Sequence, residues 1–414
     1  MKTNLMTRRS MLSGMTAFAA FPVIGGAAKA FVGGLPRWKA GELEIHFIQT
    51  GVGEQTFFRL PDGTTMLLDC GDMYREKYLP DIPRRPSAER LGGEWVSRYV
   101  RRLVDERTLD YFVLTHWHAD HCGKPSLRSE KTADGRAVCG VTRFAEDFGF
   151  RHYFDHQYPA DPAANDLNFD ADSVAMMRAW LPLMQKRCGM IPHAFKVGAK
   201  NQIALLRDPG RYPDFEIRNL FANGLYWDGN SSVIDYRPRY AELRPQLKGK
   251  VVENSLSLGF RIRYGRFSAY FGGDIDFPDH EARLAPVVGA VDICKMNHHG
   301  CPTSMGAPFC RAVRAQVYFS STWSPNQITE RNLVNMASRE LYPGERVILP
   351  GFLPPAKRAA FAGQAFLRDF LPAQGHVVFK VAPGGGAFEL FVLSNEDESM
   401  EVLYRRSFIS GANA

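Results

Sequence analysis

No Cys-x-x-Cys pair occurs among the seven cysteines, which are Cys70, Cys122, Cys139, Cys188, Cys294, Cys301 and Cys310. This excludes a zinc ribbon and a thioredoxin-like redox motif, and the odd number leaves at least one thiol free in a monomer. If the chain is exported, some of the others can pair, but the sequence assigns no bridge. Low-complexity segments and repeats of solenoid period are also missing, so an extended array is excluded. No run of clustered Lys or Arg is present, and binding a phosphate backbone needs one. What remains is an ordinary globular composition, 45% hydrophobic and 23% charged. The 414 residues allow two or three domains, or one large α/β domain with insertions.

The first thirty residues read as an export signal rather than as part of the fold. Thr7-Arg8-Arg9-Ser10-Met11-Leu12 opens a weakly apolar stretch from Met11 to Ala27, broken by Gly14, Pro22, Gly25 and Gly26. It closes on Ala28-Lys29-Ala30, an Ala-x-Ala cleavage pattern. The stretch is too short and too broken to be a membrane span, and the arginine pair resembles a twin-arginine signal. The expectation is residues 1–30 as signal, a mature chain from Phe31, the twin-arginine machinery as export partner, and a periplasmic or otherwise exported location. Lys2, Arg8, Arg9 and Lys29 leave with the signal and no acid does, so the formal charge falls from +7 to +3. A surplus of that size is no nucleic-acid footprint.

Along the mature chain, Glu42 to Ile48, Thr56 to Leu60 and Thr65 to Leu68 alternate or run apolar between turn residues, predicting a β-meander. Trp95, Tyr99 and Leu103 give a helical period over Glu94 to Asp105. Asp110 to Leu114 predicts a buried strand. A helix is expected around Asp172 to Trp180, capped by Asp170 or Asp172. Further strands are expected at Leu256 to Tyr264, Phe267 to Phe271, Ala290 to Lys295, Val377 to Val381 and Phe388 to Leu393, with a helix over Glu330 to Leu341. Two strand-rich halves, each followed by helices, suggest two packed sheets with helices outside. Residues 31–414 are expected to form one domain, with an insertion at about 122–251.

The strongest chemical signal is Thr115-His116-Trp117-His118-Ala119-Asp120-His121, an HxHxDH run placed just after the apolar strand. Imidazoles and a carboxylate are ligands that suit zinc and similar first-row metals. Three histidines and an aspartate within six residues are poorly explained as a solvated loop.

With this run the sequence resembles the metallo-β-lactamase superfamily, and in particular the hydrolase domain of the bacterial competence protein ComEC and its free-standing relatives. The motifs follow in the family's order from about Leu43 to Leu393. His46-Phe47-Ile48-Gln49-Thr50-Gly51-Val52-Gly53-Glu54-Gln55 is similar to the opening strand and Gly-rich turn. Met66-Leu67-Leu68-Asp69-Cys70-Gly71 is similar to an apolar strand ending in Asp-x-Gly. Asn254-Ser255-Leu256-Ser257-Leu258, Phe271-Gly272-Gly273-Asp274 and Lys295-Met296-Asn297-His298-His299-Gly300 are similar to the later Asn-Ser-Leu, Gly-Asp and Lys-x-x-His-His-Gly motifs.

The resemblance implies a four-layer αββα sandwich of the α/β class and a centre of two Zn2+ ions, with other divalent metals as alternatives. His116 and His118 would hold the first ion; Asp120, His121 and His298 the second; Asp274 both. Asp120 and His299 are the expected catalytic groups, with His299 beside the metals and either contacting substrate oxygens or serving only to orient His298. Asp69 is expected to fix the histidine loop. The superfamily places a third histidine on the first metal. His152, His156 and His193 lie in the right interval, but each reads better as a surface or packing residue. Cys122 and His46 read as core residues and His280 as a loop residue. Tyr153, Phe154, Tyr158, Tyr226 and Trp227 read as packing aromatics before cleft-lining ones.

The expected function is hydrolysis of a small or medium-sized ester, foremost a phosphoester, by a metal-activated hydroxide. Alternatives are a lactam, lactone or thioester hydrolase, a ComEC-like nuclease, and a metal-binding protein without catalysis.

Overall fold

The computed structural model describes residues 34–414 except 74–81, 127–128, 157, 160–169, 244, 249–250, 277, 325, 352, 354 and 372–373. The expected signal and its cleavage site lie outside the described residues.

Alternating and apolar runs become strands of two mixed sheets. In the nine-stranded sheet the order is Val402–Ile409, Ala387–Leu393, His376–Val381, Leu43–Phe47, Thr56–Arg59, Thr65–Leu68, Thr108–Leu114, Gly149–Asp155, Ile191–Ala194. The eight-stranded sheet runs Val233–Asp235, Leu225–Trp227, Phe215–Ala222, Gly259–Tyr264, Phe267–Gly272, Ile293–Lys295, Val317–Ser320, Val347–Pro350. Each has an antiparallel part and a parallel part, the latter including Thr65–Leu68 beside Thr108–Leu114 and Phe267–Gly272 beside Ile293–Lys295. Segment 122–251 supplies strands to both sheets.

The sheets pack face to face. Ile45, Phe47, Phe58, Leu68 and Val113 meet Phe260, Phe271, Ile293 and Phe319 in one buried cluster. Within it the Phe58 and Phe271 rings pack edge to face at 4.9 Å and Phe47 and Phe319 at 5.0 Å. Helices flank the sheets. Val96, Tyr99 and Val100 of Gly92–Val100 and Val174, Met177 and Trp180 of Ala171–Cys188 bury against Phe112 and Phe150. Leu284 and Val288 of Pro278–Val288 and Leu333 and Met336 of Glu330–Ala337 do the same against Tyr270 and Tyr318. The result is an α/β sandwich of two mixed sheets flanked by helices. Among the described residues no helix is long and apolar enough to cross a membrane.

Several local expectations change. The first helix ends at Val100 rather than Asp105, because Leu103 and Val104 fold back in turns onto Val100. Asp170 is the cap of the long helix, its carboxylate accepting the Ser173 N–H, and that helix continues to Cys188. The strand expected from Leu256 begins at Gly259, since Glu253–Leu256 forms a helical turn. His280 lies in the helix that Pro278 opens, not in a loop. Proline at a first helical position costs no hydrogen bond, and the ring of His280 is buried among Tyr226, Tyr236 and Tyr240. All seven cysteines are free.

Candidate metal centre

Strands of both sheets deliver the chemistry at their carboxyl ends, the side on which open α/β sheets place ligands. Leu114 runs into the HxHxDH segment, Leu68 into Asp69, Gly272 into Asp274, Lys295 into the His-His turn, and Ser320 into Trp323. The strand Thr108–Leu114 is buried along nearly its whole length, which fixes where its last residue releases the histidines.

Asp69 organises that release. Its Oδ1 accepts the Thr115 N–H at 2.7 Å, and its Oδ2 accepts the Thr115 hydroxyl at 2.8 Å and meets His121 Nδ1 at 2.8 Å. The fixing role expected for Asp69 is what these bonds perform. Gly71, two residues on, has to be glycine: a Cβ there would lie 1.7 Å from the Asp120 carbonyl oxygen. The Asp-x-Gly motif therefore lets one loop lie directly on the other.

The segment Asn297–Gly300 is unusual. His298, His299 and Gly300 have φ of 44°, 50° and 71°, three successive left-handed residues. Two of them carry side chains, at a cost of about 1–3 kcal/mol each. Buried hydrogen bonds hold the turn. Asn297 donates to Glu281 Oε1 at 2.9 Å and accepts from the Tyr270 hydroxyl at 2.8 Å, while Asn332 donates to the Gly300 carbonyl at 2.6 Å. The turn sends His298 and His299 in different directions.

His299 Nε2 lies 3.0 Å from Asp274 Oδ2, 3.3 Å from His121 Nε2 and 3.5 Å from Asp120 Oδ2. His121 Nε2 is 3.2 Å from Asp274 Oδ2 and 4.0 Å from Asp120 Oδ2. His116 Nε2 and His118 Nδ1 stand 3.2 Å apart, and the rings of His116 and His121 are 4.1 Å apart. Two ligand atoms on one tetrahedral zinc ion are separated by about 3.3 Å, so these spacings fit shared ions. Glu54, His121, Asp274 and His299, all buried, offer ligand atoms within 4.8 Å of one another. Asp274 Oδ1 is buried without a hydrogen-bond partner.

His298 makes no close contact with these carboxylates, but Asp274 and Asp120 still act on it and its Nδ1 is buried without a hydrogen-bond partner. Its Nε2 lies 3.2 Å from the Asn254 amide nitrogen, and it is less buried than His299. His152 and His193 pair with each other at 3.0 Å. His156 is held by Glu253 Oε1 at 2.8 Å, and the same oxygen accepts the Trp117 N–H between His116 and His118. Cys122 is buried, its thiol on the His118 carbonyl, and His46 is a core residue bonded to Tyr99. Tyr153, Phe154 and Tyr226 are buried, and Trp227 packs beneath Arg218. Sequence reasoning gave no role to Glu54, Lys295, Glu253 or Trp323, whose ring packs 4.5 Å from that of His299. The Lys-x-x-His-His-Gly spacing was the available signal for Lys295.

Electrostatics divides the histidines. Burial, with His121 and His118 beside it, pushes His116 well below the ordinary imidazole value, leaving it neutral and able to ligate. Burial alone would also lower His121, but Asp274, Asp69 and Asp120 outweigh it and hold His121 up to about 10. His299 is likewise raised by Asp274, Asp120 and Glu54 against its burial. The carboxylate of Asp274 is held well below its usual range because His299 and His121 overcome its desolvation. Among the described residues Glu54, Asp69, Asp120 and Asp274 face one ammonium, Lys295, so with neutral imidazoles and all four carboxylates ionised, Asp69 against the upward push of its burial, the group carries three negative charges. In the metal-free chain protons on His121 and His299 offset two of them.

These residues form a clustered metal-binding site of the kind that supports metal-dependent hydrolysis. No protein-family model matches the chain and no curated protein is significantly similar to it, so the site itself carries the functional argument.

Proposed function

We propose that the chain is an exported hydrolase of the metallo-β-lactamase type, built as that family's four-layer αββα sandwich, with a phosphoester as substrate. The observation that carries this reading is the approach of imidazole nitrogens and carboxylate oxygens from both sheets to spacings that fit common ions. In this reading Asp120, His121, Asp274 and His299 hold one Zn2+, and His116 and His118 hold a second that shares Asp274. The sequence pattern favoured His298 as the ligand and His299 toward the substrate. The distances around His299 Nε2 support the exchange, with His298 and Asn254 binding substrate oxygens at the rim.

When bound, such a pair of ions supplies Lewis acidity and an acidified water. The chain's own contribution is orientation. Asp69 accepts a hydrogen bond from the Nδ1–H of His121 and so leaves the Nε2 lone pair facing the ion. In this reading the left-handed His-His turn directs the His299 ring toward the ions. In this reading His298 would supply a hydrogen bond to the leaving group from a ring that already faces the Asn254 amide nitrogen.

Charge supports a phosphoester over a neutral lactam. Three buried negative charges against two divalent ions leave a net positive pocket, which attracts an anionic electrophile. A nuclease reading finds less support, since the sequence has no basic run. The test is turnover by metal-loaded protein on a phosphodiester, a phosphomonoester, single-stranded DNA, a lactam, a lactone and a thioester. Cleavage of the small phosphoesters is expected. Cleavage of a lactam or lactone and no phosphoester would leave the metal site standing and remove the substrate assignment.

Export rests on the N-terminal pattern. Seven free cysteines, five of them buried, suit a chain that folds in a reducing compartment before transport, as the twin-arginine route requires. Replacing Arg8 and Arg9 by lysine is expected to retain the protein inside the cell. Unchanged export would leave a general secretory signal instead.

A further inference from the structure

Glu54 is fully buried and touches three segments of the centre; its carboxylate lies near enough to His121, Asp274 and His299 to be counted with them, but its closest contact in the group is to the Nδ1 side of His299. It sits in the turn between Leu43–Phe47 and Thr56–Arg59 of the nine-stranded sheet, and Lys295 ends a strand of the other sheet. Their side chains pair across the sandwich at 2.9 Å, each about 1% exposed. The Glu54 N–H donates to the Asp120 carbonyl at 2.8 Å, and the Glu54 carbonyl accepts the Gly71 N–H at 3.1 Å. Lys295 Nζ donates to the Gly272 carbonyl at 2.8 Å and stands 3.7 Å from Asp274 Oδ1. Glu54 Oε2 lies 3.2 Å from His299 Nδ1.

That last contact is on the far side of the ring from the convergence. The nitrogens of an imidazole diverge, and it is Nε2 that faces Asp274, His121 and Asp120. Glu54 Oε1 pairs with Lys295, while Oε2 accepts the Ser321 hydroxyl at 3.5 Å and meets His299 Nδ1, so the carboxylate addresses the back of the ring. The Nδ1–Oε2 distance is that of a close ion pair, and Nδ1 has no other hydrogen-bond partner. Asp69 stands in the same relation to His121 Nδ1 at 2.8 Å.

We infer that Glu54 is a positioning residue: held by Lys295, it fixes the direction and tautomer of His299 and thereby sets the metal affinity of the His121–His299 half of the centre. The inference rests on the metal-centre reading above. A carboxylate behind a ligating histidine fixes the ring and raises its basicity, and losing it typically costs about 10–100-fold in metal affinity. Glu54 also ties the Asp120 loop by its backbone, so one residue registers ligands from separate segments.

The test is a titration of metal-free protein with cobalt(II) against a competing chelator, following the visible absorption of the bound ion. Circular dichroism of the metal-free chain serves as a folding control. Glu54→Gln is expected to weaken one equivalent of cobalt by about 10–100-fold and shift its absorption, leaving the other equivalent unchanged. Glu54→Asp, which keeps the charge with a shorter reach, is expected to fall between the two. The double variant Glu54→Gln/Lys295→Met removes the unpaired ammonium and is expected to fold while staying as weak as Glu54→Gln. Recovery of wild-type affinity in the double variant would overturn the inference, because it would reduce Glu54 to a charge partner of Lys295. Wild-type affinity and spectrum in Glu54→Gln would overturn it as well. Complete loss of one equivalent in both single variants would make Glu54 a ligand and contradict it. Wild-type protein that takes up no cobalt would instead defeat the metal-centre reading, a result distinct from all of these.

Discussion

Around His121 and His299 each imidazole has a buried carboxylate behind it, Asp69 at 2.8 Å and Glu54 at 3.2 Å. Behind His116 the corresponding partner is the Thr115 hydroxyl at 3.1 Å, and the carboxylate near His118, Glu253, already accepts the Trp117 N–H and faces His156. The two halves thus differ in charge more than in shape. In the carboxylate-backed half the histidines are held protonated when no cation is present. In the other half burial keeps His116 neutral. In the two-ion reading proposed above, the contrast leads us to expect affinity and pH dependence to reside in the first of these halves, with the His116–His118 pair as the weaker seat.

The largest expected effect comes from removing what the halves share. Asp274→Ala is predicted to release metal from both and to lower turnover by about three orders of magnitude, the scale of losing several kcal/mol of Lewis-acid stabilisation. Metal content and turnover measured together check this, and full activity with a single ion would break the shared-ligand view.

The next comparison separates neighbours in the His-His turn. His299→Ala is predicted to lose an equivalent of metal along with activity. His298→Ala is predicted to keep its metal and to turn over about a hundredfold more slowly, as for a lost proton or hydrogen-bond donor. The reverse pattern would restore His298 as the ligand.

A smaller effect sharpens the contrast between backed and unbacked histidines. Asp69→Asn is predicted to weaken binding in the His121 half by about 10–100-fold, whereas Thr115→Val should change affinity in the His116 half by less. Equal losses in chelator competition would contradict the division.

The mildest prediction concerns pH. His121 holds its proton up to about 10 in the folded metal-free chain against an ordinary 6.5, so between these values the folded state binds more protons than the unfolded one. Its contribution to stability is therefore full below 6.5 and is lost as pH rises through about 10. Melting of metal-free protein should show this decline by a few degrees, and metal-loaded protein should not, because a bound cation replaces the proton. Coincident pH profiles would argue against His121 as a ligand.

Much of this was legible in the sequence because it is local. His116, His118, Asp120 and His121 lie within six residues, behind a strand whose apolar run announces burial. Asp274 and the His-His pair follow their own strands at recognisable spacings. The directions in which His298 and His299 point were not legible, since they depend on left-handed backbone angles held by the bonds of Asn297 to Glu281 and Tyr270 and of Asn332 to Gly300; which of the two is a ligand belongs to the proposal. The role of Glu54 was hidden for a similar reason: it exists only across the sandwich, where Lys295 meets it. In the fold, the two-sheet plan followed from strand periodicity. The edge strand Val402–Ile409 escaped notice because its burial is broken, and the end of the turn Glu253–Leu256 because Leu256 alternates with Leu258 and Phe260 and so reads as part of the strand that begins at Gly259.

Stepwise cobalt(II) titration of the metal-free protein, with phosphodiester turnover recorded at each addition, tests the central claim most directly. Two equivalents should bind in separate steps. The tighter step should strengthen as pH rises and disappear in His299→Ala, and turnover should climb with the second step. A single equivalent with full activity, or two identical steps indifferent to pH, would contradict an unequal two-metal centre.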